Sequence, residues 1–307
     1  MSRTVLVATE KPFAKAAVDG IKKVLDDAGY TLSLLENYTD TADLLAAVKT
    51  PDAVIIRSDK VTADVIAAAE NMKIVVRAGA GFDNVDCDAA LKADVVVMNT
   101  PGQNSNAVAE LAFGMMLNLA RNKYTGKAGT ELRGKTIGIH AYGNVGKFVA
   151  IIAKGFGMTV KAFDPFVEKS AIEAAGVEVV ESVETLYSGC DYVSLHIPAN
   201  DKTKKSIDYE LLSSMKEGAA LINTARKEVI DEDGLLKAMT EREDLRYGSD
   251  LTPDCLDALN AAAGDRVFVT AKKMGAQTAE ANINAGIAAA QQIVAFFEKG
   301  DTTFKVN

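Results

Sequence analysis

The feature that most constrains the fold of this chain is an alternation of short β-branched segments with longer helical patterns. The helical patterns cover residues 14–27, 62–70, 104–121, 145–156, 235–239 and 279–299. The segments that read as buried strands are residues 5–7, 53–56, 74–76, 95–97, 136–140, 159–163, 192–195, 220–223 and 267–269. Because such alternation is typical of βαβ units, we expect an α/β fold of parallel sheets with helices on both faces.

The length of 307 residues exceeds what one hydrophobic core usually organises and therefore predicts two domains. We expect both to be doubly wound parallel sheets of the Rossmann-like kind. The first is predicted to span residues 1–98 together with 282–307, because the closing helix at 279–299 is expected to pack back on it. The second is predicted to span residues 99–281.

Composition narrows the possible classes of protein. With 48% hydrophobic and 25% charged residues, the chain can bury real cores, which excludes a disordered or fibrous protein. A net charge of −8 argues against a nucleic-acid partner or a membrane-surface partner. No apolar segment approaches the roughly 18 residues that a membrane span needs. The cysteines (Cys87, Cys190 and Cys255) are odd in number and far apart, so we expect no disulfide, no metal site and a reducing cytoplasm.

Residues 136–146 combine a strand, a tight turn and a helix start in the pattern of a dinucleotide-binding site. Gly143 and Gly146 take the second and third glycine positions of G-x-G-x-x-G, and Ala141 takes the first, where a small residue still permits the turn. Backbone N–H groups around the turn would face the phosphates of the cofactor; they belong to Tyr142, Gly143, Asn144, Val145 and Gly146. An ordinary tight turn would show the same pattern, so a second signal is required.

Asp164 supplies that second signal. It ends the next predicted strand and lies 18 residues after Gly146. A carboxylate at this position accepts hydrogen bonds from the ribose hydroxyls of NAD and repels the additional phosphate of NADP. The sequence therefore predicts a site for a dinucleotide, with NAD favoured over NADP.

Polar side chains follow several strands at the end where a cofactor would bind. Arg226 could pair with a carboxylate and polarise a carbonyl, or could be an ordinary surface arginine. His196 could line the nicotinamide side of the site or only cap its strand. Asp250 ends a further predicted strand at 245–249, and Asp254 follows four residues later.

The first domain carries two arginines at strand ends. Arg57, followed by Ser58, comes after strand 53–56, and Arg77 comes after strand 74–76. Backbone N–H groups of a glycine-rich turn can form a cradle for an anion, and here that turn consists of Ala78, Gly79, Ala80 and Gly81. We expect these groups to meet the cofactor in the cleft between the two domains and to bind a small substrate with two anionic ends.

The chain resembles the D-2-hydroxyacid dehydrogenase family over essentially its whole length. The residues that carry the resemblance are 55–58, 77–86, 99–101, 104, 108–111, 195–198, 203, 223–226 and 275–281. Arg57 and the run at 77–86 are most similar to the branch that oxidises 3-phosphoglycerate with NAD, the first step of the phosphorylated route to L-serine. The resemblance therefore implies that reaction and a phosphorylated hydroxy acid as the substrate.

The resemblance also implies roles for individual residues. Arg57 and Arg77 would lie near the substrate phosphate, and the turn at 79–81 would hold the carboxylate. Asn104 would line the site, and Arg226 would be the catalytic arginine. Cofactor contacts are implied for His196, Pro198, Thr203, Thr224, Ala225 and Asp250, with Ala225 and Asp250 at the nicotinamide end.

The segment that should carry the family's catalytic histidine departs from the family pattern. The family motif T-P-H-x-G-A corresponds to residues 270–276, which read Thr-Ala-Lys-Lys-Met-Gly-Ala. Counting forward from Thr270 puts Lys272 at the histidine, whereas counting back from Gly275 puts Lys273 there.

The family's supporting glutamate also has no direct counterpart. Its position falls on Cys255, with Asp254 beside it. Oxidation of a hydroxy acid needs a base for the hydroxyl proton, and a lysine can serve if its pKa falls well below about 10.4. We expect Lys272 to be this acid/base, with Arg226 as a cationic neighbour. Either Asp254 takes the place of the glutamate, or the lysine acts alone.

Two alternative functions and two further expectations accompany this interpretation. One alternative is a reductase of hydroxypyruvate, glyoxylate or another 2-keto acid; the other is a non-catalytic protein that senses NAD(H), which the missing histidine and glutamate favour. The resemblance implies a homodimer formed through residues 104–121. Because the chain ends soon after the closing helix, we expect no regulatory domain and no feedback inhibition by serine.

Overall fold

A computed structural model describes residues 3–307, and its strands form two parallel sheets. The strands are β1 (Thr4–Thr9), β2 (Thr31–Glu36), β3 (Ala53–Ile56), β4 (Ile74–Arg77), β5 (Val96–Asn99), β6 (Thr136–His140), β7 (Thr159–Phe163), β8 (Glu178–Val179), β9 (Tyr192–Leu195), β10 (Ala220–Asn223), β11 (Arg246–Ser249) and β12 (Val267–Val269). The α-helices are α1 (Lys15–Asp27), α2 (Thr41–Ala47), α3 (Ala63–Ala68), α4 (Cys87–Lys92), α5 (Ser105–Ala120), α6 (Asn144–Gly155), α7 (Lys169–Ala174), α8 (Val183–Gly189), α9 (Tyr209–Ser213), α10 (Glu232–Glu241), α11 (Leu256–Ala263) and α12 (Ala279–Lys299). The predicted α/β class with two doubly wound parallel sheets is confirmed.

The first unit contains the sheet β2-β1-β3-β4-β5. It comprises the residues up to Asn104 together with Gln277–Asn307, so its limits lie a few residues from the predicted 98 and 282. Helix α12 packs against α1 within this unit, where Gly286 lets the two helices approach because a Cβ there would lie 3.0 Å from Ile21. Apolar clusters cover both faces of the sheet.

The last residues of the chain cover the edge of this sheet. Val306 donates its N–H to the Val97 carbonyl of the edge strand β5 at 2.9 Å. The side chain of Asn307 continues the ladder, because its Oδ1 accepts from Val97 N at 2.9 Å and its Nδ2 donates to the Val95 carbonyl at 2.8 Å. Backbone groups that an edge strand would otherwise leave unpaired are thereby satisfied.

The second unit, Ser105–Ala276, contains the sheet β12-β11-β10-β9-β6-β7-β8. Strand β6 lies between β7 and β9, so the chain continues outward on one side of β6 and later on its other side. In parallel α/β sheets, ligands bind beyond the carboxyl ends of the strands at such a point of reversal. The described residues contain no helix long and apolar enough to cross a membrane.

Candidate active site

The turn after β6 has the geometry that a phosphate group needs. Gly143 is the residue before α6, no side chain caps this helix end, and a Cβ on Gly143 would meet nothing within 4 Å. The free N–H groups of the helix therefore face open space. Gly146 has the opposite surroundings, because a Cβ there would collide with the Ala141 carbonyl. Gly143 thus leaves room for a ligand, and Gly146 lets helix and strand pack closely.

Asp164 is held against this turn by backbone hydrogen bonds. Its Oδ2 accepts from Tyr142 N at 2.7 Å, and its Oδ1 accepts from Phe166 N at 2.8 Å and from Val167 N at 3.2 Å. A carboxylate has about four acceptor positions, so capacity remains for one more donor. The position fits a ribose hydroxyl.

A cavity of about 690 Å³ adjoins the turn and Asp164. Its apolar wall includes Phe163, Pro165, Val183, Ile197, Pro198 and Leu211. Its polar members include Thr203 and both histidines, and its charged members include Glu184, Lys202, Asp208 and Glu210. Thr203 is fixed by a hydrogen bond from its hydroxyl to the Pro198 carbonyl at 2.5 Å. Phe166 stands at this cavity with 91% of its surface exposed. Sequence reasoning missed it, although it comes directly after the Asp164-Pro165 pair.

Both histidines are neutral at physiological pH. Burial lowers the pKa of His140 to about 4, and the ring lies 3.3 Å from the Tyr187 hydroxyl. Burial, with the adjacent His140, lowers the pKa of His196 to about 3, and its Nε2 lies 3.0 Å from Ser194 Oγ. His196 lines the cavity as an uncharged wall.

The turn after β10 contains a second group of predicted site residues, Thr224, Ala225 and Arg226. Asn223 holds it through both side-chain atoms: Oδ1 accepts from Ala225 N and Nδ2 donates to the Arg226 carbonyl, each at 2.9 Å. Thr224 Oγ1 is buried and has no hydrogen-bond partner in the part of the chain that the structure describes. Since a buried hydroxyl is normally paired, this atom fits a ligand that supplies the missing partner. Together with the open space at Gly143, it indicates that the residues present fit NAD.

Asp250 lies at the end of β11 and is 1% exposed. Its carboxylate accepts hydrogen bonds from Thr270 Oγ1, Met274 N and Gly275 N at 2.7–2.9 Å. The two candidate acid/base residues, Lys272 and Lys273, lie between these donors and are exposed.

The structure gives Asp254 a partner other than the expected one. It is 81% exposed and forms an ion pair with Lys227, at 2.7 Å between Nζ and Oδ1. Asp254 N and Cys255 N both donate to the Glu232 carboxylate. Burial raises the pKa of Cys255 to about 12, so the thiol at the family's glutamate position is neutral. That Asp254 takes the place of the glutamate stays a prediction, and its ion pair with Lys227 was not expected because sequence proximity does not fix where a side chain points.

In the first unit, Arg57 and Arg77 lie next to each other at the carboxyl ends of β3 and β4. Arg77 Nε donates to the Arg57 carbonyl at 3.0 Å, and Arg57 Nη2 donates to Asn282 Oδ1. Burial lowers the pKa of both guanidinium groups, and the charge of Arg57 lowers that of Arg77 further. Two half-buried cations held side by side by carbonyl and amide oxygens have the chemistry to pair with an anion.

The remaining predicted substrate residues belong to the same unit. Gly79 has a φ of +151°, and a Cβ there would collide with the Arg77 guanidinium. Ala78 is buried, whereas Ser58 and Ala80 are exposed and Gly81 and Asn104 are half-buried. Sequence reasoning missed the supports of the pair, which are Asn282, Asn84 and Asp59.

Comparison with known proteins identifies the family. Residues 114–271 match the model of the D-isomer specific 2-hydroxyacid dehydrogenase, NAD binding domain. The chain belongs to the D-isomer-specific 2-hydroxyacid dehydrogenases. The predicted family and the predicted cofactor are thereby confirmed, since the glycine turn and Asp164 lie inside the NAD-binding domain.

Relatives of this family member include two curated sequences. It is 36% identical over 265 residues to a D-3-phosphoglycerate dehydrogenase of Methanocaldococcus jannaschii, which covers 82% of this chain and 51% of that protein. It is 35% identical over 280 residues to a hydroxypyruvate reductase of Thermotoga maritima, which covers 85% of this chain and 90% of that one. The chain thus spans about half the length of the first relative and nearly all of the second.

Among solved structures, this 2-hydroxyacid dehydrogenase is similar to the NAD⁺-bound 3-phosphoglycerate dehydrogenase of Entamoeba histolytica. The TM-score is 0.87 and the sequence identity 46%, and the match covers 100% of this chain and 99% of that one.

Proposed function

We propose that the chain is an NAD-dependent dehydrogenase that oxidises 3-phospho-D-glycerate to 3-phosphohydroxypyruvate, the first step of the phosphorylated route to L-serine. The observation that carries this proposal is the pair Arg57 and Arg77, whose desolvated guanidinium groups suit a phosphate. The similarity to the Entamoeba histolytica enzyme along the whole chain supports it.

In this reaction each residue has a chemical task. The turn formed by Ala78 to Gly81, with Ser58 and Asn104, binds the substrate, and Arg226 pairs with its carboxylate and polarises the C2 oxygen. When bound, NAD supplies the acceptor for the hydride that leaves C2. The C2 hydroxyl proton passes to the amine of a lysine as the carbonyl forms, and we assign that amine to Lys272.

A second candidate is reduction of hydroxypyruvate or another small 2-keto acid. The match to the Thermotoga maritima hydroxypyruvate reductase, which spans 90% of that protein, favours it. The two functions differ in their demand for a phosphate site, so the arginine pair decides between them.

The test measures NADH formation at 340 nm with 3-phosphoglycerate, glycerate and D-lactate, and NADH consumption with hydroxypyruvate. Arg57→Ala and Arg77→Ala should each lower kcat/KM for 3-phosphoglycerate about 10–100-fold, the loss expected for a charge-assisted hydrogen bond, and change hydroxypyruvate reduction little. Arg3→Ala is the control, because Arg3 precedes β1 at the amino ends of the strands. Equal losses for both substrates would favour the reductase. No turnover with any acid, despite NADH binding, would favour an NAD(H)-sensing protein.

The lysine assignment has its own test. Lys272→Ala should reduce kcat at least about 100-fold, as expected for loss of a general acid/base, and Lys273→Ala should not. The reverse result would move the assignment to Lys273. Normal turnover in both variants would show that neither lysine is the acid/base.

We also propose that the chain acts in the cytoplasm as a homodimer. Phe148 and Ile151 on α6 are 37% and 65% exposed, and Phe156 stacks on Phe113 of α5 at a centroid distance of 5.1 Å. This apolar surface next to residues 104–121 suits a second copy. Light scattering should give twice the chain mass, and Ile151→Asp should give the monomer; a monomeric parent protein would contradict the proposal.

A further inference from the structure

The loop that follows β12 is closed by one carboxylate. Asp250 Oδ1 accepts from Thr270 Oγ1 at 2.9 Å and from Met274 N at 2.7 Å, while Oδ2 accepts from Gly275 N at 2.8 Å. Thr270 enters the loop, and Met274 with Gly275 leaves it. The same buried side chain therefore joins both ends of the segment 270–275.

We propose that Asp250 is a positioning residue that holds this loop so that the lysine acid/base stays at a fixed place. The proposal rests on the proposed function, since that function assigns the proton transfer to Lys272 or Lys273. Both lysines are exposed between the two ends of the loop, so their position depends on how firmly the ends are tied.

The surroundings of Asp250 hold its carboxylate where it accepts hydrogen bonds from both ends of the loop. A buried carboxylate needs its hydrogen bonds, because an unpaired charge in the interior is strongly unfavourable. Asp250 is itself fixed, since its N–H donates to the Asn223 carbonyl of β10 at 2.9 Å. Gly275 completes the fit, because a Cβ there would lie 3.0 Å from Asp250 Oδ2 and 3.2 Å from Val108.

The family resemblance assigns Asp250 a different task, namely contact with the nicotinamide. Three of its roughly four acceptor positions are already used by the loop, which leaves one for a ligand. The two tasks predict different losses. A residue that mainly contacts the nicotinamide would weaken NADH binding when changed, whereas one that positions the loop would lower kcat and leave NADH binding nearly unchanged.

The first experiment measures opening of the loop by proteolysis and does not depend on catalytic activity. Trypsin cleaves after lysine, so the rate of cleavage after Lys272 and Lys273, followed by mass spectrometry, measures how often the loop opens. Asp250→Asn places an amide N–H₂ against a backbone donor and should accelerate this cleavage about tenfold or more. The matched control is Asp191→Asn, because Asp191 similarly accepts from Thr136 N and Lys216 but lies before β9. Unchanged cleavage in Asp250→Asn would overturn the proposal.

The second experiment measures how loss of a hydrogen bond to Asp250 changes kcat and the Kd for NADH. Thr270→Val removes one of the three donors and should lower kcat about fivefold to tenfold, whereas Thr270→Ser keeps the hydroxyl and should restore it. The Kd for NADH, measured by its fluorescence, should change less than about twofold in these variants. A higher Kd for NADH with unchanged kcat would overturn the positioning role. If the unaltered enzyme oxidises no hydroxy acid, the proposed function fails, and the catalytic role of Asp250 fails with it. Accelerated cleavage in Asp250→Asn would still establish that Asp250 holds the loop at residues 270–275 closed.

Discussion

The absence of a side chain at Gly79 leaves room for the guanidinium group of Arg77. The residue has a φ of +151°, and a Cβ would occupy the position of the Arg77 guanidinium. We expect Gly79→Ala to displace Arg77 and to lower kcat/KM for 3-phosphoglycerate about tenfold or more, with the Kd for NADH unchanged. Steady-state kinetics and NADH fluorescence measure both quantities.

A matched variant separates this effect from backbone strain. Gly300 also has a positive φ, of 66°, and a Cβ there would meet nothing within 4 Å. Gly300→Ala should therefore cost stability without changing kcat/KM. Equal kinetic losses in the two variants would contradict the explanation by the Arg77 contact.

Ala141 stores strain at the first glycine position of the turn. Its φ is +83°, a region that a side chain with a Cβ occupies at a cost. Ala141→Gly should raise the free energy of unfolding by about 1 kcal/mol, measured by urea denaturation. Ala67→Gly in α3 makes the same change in helical backbone and should lower it by about 1 kcal/mol. A loss of stability in Ala141→Gly would show that the turn is not strained.

At the scale of elements, the edge of the first sheet depends on a side chain. Asn307 makes two hydrogen bonds to the backbone of β5, through Val97 N and the Val95 carbonyl. Asn307→Ala should accelerate hydrogen exchange of the Val97 amide about tenfold, because each bond contributes about 1 kcal/mol. The amide of Val54 in the interior strand β3 is the internal control. Unchanged exchange at Val97 would mean that water replaces the side chain without loss.

For the molecule as a whole, the two buried histidines lower the free energy of unfolding at acidic pH. An unfolded histidine has a pKa near 6.5, whereas burial lowers that of folded His140 to about 4 and that of His196 to about 3. The unfolded chain therefore binds more protons below pH 6.5, and stability is lost as the pH falls from about 6.5 towards 4. For His140 the loss amounts to roughly 3 kcal/mol.

The measurement is urea unfolding at pH 7, 5.5 and 4.5. His140→Gln should reduce the slope of the free energy of unfolding against pH over this range, since the group that gains the proton is gone. A slope identical to that of the parent protein would contradict the assignment to His140.

Local sequence determined the interior strands and the cofactor turn. Strands β3, β6, β9 and β10 begin and end where the sequence predicted, because a strand buried on both faces must be a continuous apolar segment. Strand β7 and the edge strand β12 also have the predicted bounds. The glycine pattern and Asp164 were also predicted from the sequence, because a turn whose backbone closely approaches a dinucleotide admits few residue types. Strands β2 and β8 were missed because their residues are exposed or half-buried, so neither segment is continuously apolar.

Only the tertiary structure decided which side chains meet. Asn282 reaches Arg57 across 225 positions of the chain, and Asp254 pairs with Lys227. Asp250 closes the loop at residues 270–275. No local pattern encodes these partners, because a hydrogen bond or ion pair depends on where distant elements bring their ends. The sequence therefore determined the family, the fold class and the positions where chemistry is possible. The packing of the elements decided which of those positions share a site and which hold one another in place.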